Sequence, residues 1–447
     1  MTTDVNNKTS TVTSRVFKNG TRSDYERTTV PPEERKGWVP IAGIWIAVGI
    51  DISGTILGAQ LGAGLSLEAA LGATIIGSIL LGLLAMACTY VGASTGFTSA
   101  MIARSIFGRM GGIVIASAMA ISSVGWFGVQ AGFFANNAQT AVEELFGWNV
   151  PLPILIIAGG TMMTLTAFWG YRALERLSKW AVPLLIGTLL IAVFLAFMRF
   201  GGSELGKPTL AEFTFGGAVS LVIGIFIFGV IISPDIARWA KTPRQAMIAG
   251  FFGFFVGNSF IILITIILSR LMGIDDLMRM FFILGMGAIA IIVLTLAQWT
   301  TNTNNLYSAA LNLSVIFPQV ARRLLTLIAA VIAISAALLG IYDAFIPFIS
   351  IMGAFIAPYG GVYLADFFIR RSERLRNSDA YTPKIDGWPF IAWGVGALVG
   401  FCTTRPGDGL GWGILSLTTI PALDAIVTAF LIHSIISLLR NPAEKRT

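Results

Sequence analysis

From residue 38 to residue 438 the chain alternates long apolar runs with short polar breaks. Twelve runs can be drawn, at about 38–60, 68–94, 110–138, 152–169, 180–199, 215–237, 244–270, 280–304, 321–340, 344–368, 388–404 and 411–438. Most approach or exceed the roughly 20 residues an α-helix needs to cross the hydrocarbon core of a bilayer. The pattern therefore predicts an all-α polytopic membrane protein with twelve transmembrane helices.

Two of the runs are interrupted. The first reads "WIAVGIDISGTILG", with Asp51 in its middle and Gly49, Ser53 and Gly54 around it. Gly43, Ala47, Asp51, Gly54, Gly58 and Gly62 recur every three or four residues, a small-residue stripe that lets a neighbouring backbone come close. A carboxylate at this depth needs a partner, a proton or a task. The sixth run, "VIGIFIFGVIISPDIARWAK", sets Gly224 and Gly229 around two phenylalanines and continues into Ser233-Pro234-Asp235. Interruptions in the first and sixth runs predict two inverted five-helix repeats, 38–199 and 215–368, with a substrate site between the broken helices. A basic loop over 369–387, two further helices over 388–438 and a short tail over 439–447 complete the expected layout.

Polar residues inside other runs mark candidate chemistry. In the third, Ser123, Trp126, Gln130 and Asn137 share a helical face. An indole beside a hydroxyl and an amide suits a flat ring with a polar edge, and equally suits an aromatic core with polar bridges between helices. The eighth run ends "LTLAQWTTNTNNLYS", where Thr300, Thr301, Asn304 and Ser308 line one face and Asn302 and Asn305 another. Threonine hydroxyls together with carbonyls of an unwound helix form a hard-oxygen site suited to Na⁺. Asp235 and Arg238, spaced i and i+3, could pair as an inner gate. His433 and Asp424 read as structural groups of the last run.

Composition agrees with the pattern and limits the function. Of 447 residues, 55% are hydrophobic and only 12% charged, with mean hydropathy +0.80; soluble domains carry about twice that charge. The net charge of +7 does not indicate nucleic acid here, because its placement is that of a membrane protein. With the amino terminus inside, 25 Lys and Arg fall in cytoplasmic segments; only Arg199, Lys207, Arg270, Arg279 and Arg405 fall outside. That split predicts both termini in the cytoplasm and a cell inner or plasma membrane location. The polar first 37 residues, without the apolar stretch of a signal peptide, read as a disordered cytoplasmic tail. Cys88 and Cys402 both lie in apolar runs and suggest neither a disulfide framework nor a zinc site. No nucleotide-binding GxxxxGK[ST] motif occurs, so uphill transport would need an ion gradient. One peripheral histidine and two isolated cysteines supply no clustered catalytic groups, and an enzyme is not expected.

The chain resembles the nucleobase–cation symporter 1 family, and within it the cytosine permease branch, over nearly all of residues 30–440. "LGAGLS", "VGWFGV", "PDIARW", "WTTNTNNLYS" and "APYGGVYLADFF" carry the similarity. The resemblance implies the leucine-transporter fold, a 5+5 inverted repeat plus two C-terminal helices, and substrate uptake coupled to Na⁺ or H⁺. It implies a sodium site from the carbonyls of Ala47, Ile50 and Ala297 and the hydroxyls of Thr300 and Thr301. It implies a base stacked between Trp126 and Phe226, with polar contacts at Ser123, Ile225 and Asn302. Ser123 stands where cytosine permeases look to have glutamine, Ile225 where they look to have serine, and Asp51 where they have an apolar residue. The expected substrate is a nucleobase or related small planar nitrogen heterocycle, touched also by Asp51 and Gln130. The alternative is a cationic amine or a thiamine-precursor pyrimidine with Asp51 as its partner. Membrane lipid surrounds the protein; no nucleic acid and no obligatory protein partner is implied.

Overall fold

The computed structural model describes residues 25, 28–206, 213–375, 382–407 and 409–440. Helix is found in every one of the twelve apolar runs. The elements are α1 (Trp38–Gly49), α2 (Ile52–Gly64), α3 (Leu67–Thr95), α4 (Ser99–Phe107), α5 (Gly111–Phe146), α6 (Leu152–Phe168), α7 (Tyr171–Phe200), α8 (Phe215–Ile231) and α9 (Pro234–Ala237). They continue with α10 (Pro243–Met272), α11 (Leu277–Ile283), α12 (Gly287–Ile316), α13 (Arg322–Leu338), α14 (Phe345–Ile351), α15 (Ala357–Ala365), α16 (Trp388–Thr403) and α17 (Pro421–Arg440). By length and hydropathy, six of the described spans can cross a membrane, or seven when α1 and α2 count as one bent span. The last helix begins at Pro421 rather than near 411, the short helix α4 lies outside the predicted runs, and α11 straddles the start of the eighth.

The first interruption falls where the sequence places it. Helix α1 ends at Gly49, Ile50 and Asp51 leave helical geometry, and α2 departs at 57°. Asp51 itself starts the second half: its backbone is extended, and its carboxylate accepts the Gly54 N–H at 3.0 Å. An acidic N-cap satisfies one of the free N–H groups that a new helix exposes. In the sixth run the helix passes straight through Gly224 and Gly229, contrary to expectation. The break there lies at Ile232–Ser233, where Pro234 cannot donate an N–H to continue α8.

The small-residue stripe of α1 and α2 packs against α10, which also lies along α3. A Cβ on Gly49 would stand 2.6 Å from the Gly257 Cα, so the two backbones touch only because both residues are glycine. Gly43 meets no neighbour. Helix α12 lies along α5, and this second contact brings the polar face of the eighth run beside the first break.

The segments read as cytoplasmic meet at one end of the bundle. Arg109 N–H donates to Pro383, Asp386 N–H to Phe107, and Arg322 to the carbonyl of Phe168. The end of the tail expected to be disordered is instead anchored there. Lys36 exchanges backbone hydrogen bonds with Trp239 and Lys241, Glu34 pairs with Arg172 at 2.7 Å, and Lys36 approaches Glu175 at 3.8 Å. Residues 1–24, 26, 27, 376–381 and 441–447, which include the rest of both expected tails and part of the 369–387 loop, lie outside the described residues.

Candidate substrate and cation site

The site begins at the carboxylate of Asp51, which is buried. Oδ1 accepts from the Ser53 hydroxyl at 2.6 Å and from Gly54 N–H, while Oδ2 accepts from Gln130 Nε2 at 2.5 Å. Gln130 Nε2 also lies 3.3 Å from Ser53 Oγ, and its backbone carbonyl accepts from Gln298 at 3.1 Å. A carboxylate only accepts, so it holds the amide nitrogen of Gln130 toward itself. The amide oxygen is left buried and without a partner.

One turn earlier on α5, Trp126 is also buried, with its Nε1–H unpartnered. Its ring meets Phe348 edge-on at 5.1 Å and Phe345 at 6.4 Å. Spacing of i and i+4 puts the indole donor and the Gln130 acceptor on one face of the helix. Phe226 on α8 is buried against the edge of Phe254, and its neighbour Ile225 offers no polar atom. Ser123 is buried and gives its proton to the Met119 carbonyl of its own helix. Asn302 points elsewhere: its amide nitrogen reaches the Phe127 carbonyl and Met163 Sδ, tying α12 to α5 and α6.

Beside the break, oxygen atoms converge. Thr300 Oγ1 lies 3.0 Å from the Ala47 carbonyl and 2.8 Å from that of Ala297. Thr301 Oγ1 lies 3.2 Å from the Val48 carbonyl and 3.1 Å from Ala297. Each hydroxyl has one proton for two carbonyls, so lone pairs face lone pairs across part of the cluster. A cation among these oxygens relieves that repulsion. Four of the five expected sodium ligands are brought together; Ile50 makes none of these contacts, and the carbonyl of Val48 joins them.

At the basic end, Asp235 and Arg238 do not form the expected side-chain pair. The carboxylate accepts from the Ser99 N–H and hydroxyl at 2.7 and 2.8 Å, while Arg238 donates to the carbonyls of Asp235 and Tyr25 and to the Tyr307 hydroxyl. His433 is engaged with Asp366, and Asp424 accepts from Thr418 near the start of α17.

Sequence reading had not found the Asp51–Ser53–Gln130 network, the Val48 carbonyl or Gln298. A signal existed only for the local cap on Gly54, because an acidic residue just before an apolar helical run is a capping signature.

A bundle of apolar helices, broken in the first and sixth spans with polar groups gathered at the first break, has the architecture of a membrane transporter. The chain belongs to the family of permeases for cytosine/purines, uracil, thiamine and allantoin, whose sequence profile matches residues 29–406. It is 29% identical to the cytosine permease of Escherichia coli K12, over 92% of this chain and 97% of that one. Its fold matches that of Mhp1, a nucleobase-cation-symport-1 family transporter, in a closed conformation with bromovinylhydantoin bound. The TM-score is 0.75 at 20% identity, covering 93% of this chain and 96% of Mhp1. A Na⁺-coupled sialic acid symporter in a substrate-bound outward-open state matches with TM-score 0.63 at 12% identity, over 95% and 93% of the two chains. The protein is a multi-pass membrane transporter with the leucine-transporter fold, not an enzyme.

Proposed function

We propose that this chain is a Na⁺-coupled symporter that imports a nucleobase or a related small planar nitrogen heterocycle by alternating access. It would lie in the inner or plasma membrane with both termini in the cytoplasm, in keeping with the distribution of Lys and Arg. The observation that carries the coupling is the convergence of the Ala47, Val48 and Ala297 carbonyls with the Thr300 and Thr301 hydroxyls at a helix break. Na⁺ is a hard cation that neutral oxygens can hold.

The substrate class rests on Trp126 and Gln130. A buried donor and a buried acceptor, both unpartnered, stand on one helix face beside an aromatic cluster. They complement a flat ring that carries a carbonyl next to an N–H or amino group. Ser123 and Ile225 do not supply the glutamine amide and the serine hydroxyl that cytosine permeases look to have there. Gln130, oriented by Asp51, supplies a polar contact in their place. A second reading makes Asp51 the partner of a cationic amine or an aminopyrimidine, since its oxygens keep free lone pairs beside three hydrogen bonds. Protons could then replace Na⁺ as the coupling ion.

Uptake into proteoliposomes tests both readings. Purified protein should carry radiolabelled sodium inward only when a base or aminopyrimidine is present. Equal substrate uptake in sodium and choline media sinks the coupling reading, and uptake confined to aliphatic amines sinks the heterocycle.

A further inference from the structure

A polar cavity lies away from this site, at the basic end between the start of α16 and the end of α17. It encloses about 280 Å³ and is lined by Arg370, Arg374, Asp386, Trp388, His433 and Arg440, among others. Asp386 accepts from Arg374 at 3.3 Å and faces Arg440 at 3.9 Å. Deeper in, Asp366 takes both Arg370 and His433 on one oxygen, each at 3.1 Å. A π-turn over Asp366–Arg370 brings these groups together, a geometry that recurs at functional sites. Three guanidiniums thus face two carboxylates. Each guanidinium has five N–H donors and uses few of them on these carboxylates. His433 is buried, keeps Nε2 on Asp366 and leaves Nδ1 without a partner.

The surroundings are those of a membrane interface. Trp388 is 44% exposed, and the Arg440 guanidinium lies 4.9 Å over its ring. Tryptophan at this position anchors a helix at the headgroup level. Next to the cavity, the outer faces of α16 and α17 carry exposed Ile391, Ile435 and Leu439. An anion seated among the arginines therefore has apolar surface running away from it into the bilayer.

We propose that this cavity binds the phosphate of an anionic phospholipid headgroup, with the acyl chains along α16 and α17. Arg374 and Arg440 would share the phosphate with Asp386. Unprotonated, Nδ1 of His433 would accept a headgroup hydroxyl, as phosphatidylglycerol provides. Free phosphate offers the same charge to the arginines but nothing to Ile391, Ile435 and Leu439.

Thermal unfolding of the full-length protein in detergent, with lipid added, is the test. Phosphatidylglycerol should raise the midpoint saturably, while phosphatidylcholine with the same acyl chains and inorganic phosphate should not. R374Q/R440Q should weaken the apparent affinity for phosphatidylglycerol roughly tenfold or more, whereas K241Q/R244Q, which removes equal charge elsewhere at this end, should leave it unchanged. Should the double variant not fold, R440Q alone keeps the Arg374–Asp386 pair and should show a smaller loss. An equal shift from inorganic phosphate reassigns the cavity to a soluble anion and overturns the lipid proposal. So does an unchanged affinity in both R374Q/R440Q and R440Q, or an equal loss in K241Q/R244Q.

Discussion

Gln130 Nε2 lies 2.5 Å from Asp51 Oδ2, joining the first helix break to the middle of α5. One carboxylate thereby performs two tasks, starting α2 through Gly54 and turning the Gln130 amide so that its oxygen stays free. Asp51→Asn keeps a capping acceptor but loses the charge, and its own amide no longer fixes the orientation of Gln130. Substrate affinity should fall by roughly 1–3 kcal/mol. Asp51→Ala should in addition lose about 1 kcal/mol of stability with the cap. Calorimetric substrate titration and thermal unfolding separate the two effects; an Asn variant with unchanged affinity would remove Asp51 from the substrate's environment.

Trp126→Ala should weaken substrate binding by roughly 1–3 kcal/mol, the range for a base stacked on an aromatic ring. Trp126→Phe retains a ring but deletes the buried Nε1–H donor, so its loss should be smaller and should vanish for substrates lacking the complementary carbonyl. Equal losses for all substrates would show that the indole nitrogen reads nothing.

Removing a hydroxyl from the oxygen cluster should lower the apparent Na⁺ affinity. For Thr300→Ala or Thr301→Ala the expected loss is about fivefold, and Thr→Ser should restore it. Binding measured across sodium concentrations at constant ionic strength checks this. A Ser variant as weak as the Ala variant would point to methyl packing, not to the oxygen.

Two contacts at the basic end should differ sharply. The Glu34–Arg172 pair is partly exposed at both partners, and Glu34→Gln should change stability by less than about 1 kcal/mol. Arg238 is fully buried and donates to Tyr25, Asp235 and Tyr307. Arg238→Ala should cost several times more, since it leaves buried acceptors unmet. Comparable midpoints for the two variants would contradict that ranking.

Gly49→Val should separate α1 from α10, because a Cβ there would lie 2.6 Å from the Gly257 Cα. Overpacking of this kind costs typically 1–3 kcal/mol. A substitution tolerated without loss of thermal stability would mean that the two backbones can move apart freely.

The sequence by itself determined the class of this protein. Apolar runs of membrane length, positive charge sorted between alternate loops and Asp51 amid small residues specify a bundle with a broken first helix. These signals are local, because a helix in lipid satisfies its backbone within its own segment. A signal for the capping role of Asp51 also lay in the sequence, unread there, being a matter of neighbours three residues apart. Tertiary structure decided which of several polar faces meet. Thr300 and Thr301 are 253 residues from the carbonyls of Ala47 and Val48 that they approach. Gln130 lies 79 residues from Asp51. Asn302, in the same polar run as the threonines, instead turns to α5 and α6. The break in the sixth run moved from its glycines to Pro234, since glycine permits a helix to unwind while proline removes the donor that would continue it. A helical face is set by spacing along the chain, whereas the partner of that face is set by how helices pack, and packing joins residues that spacing cannot relate.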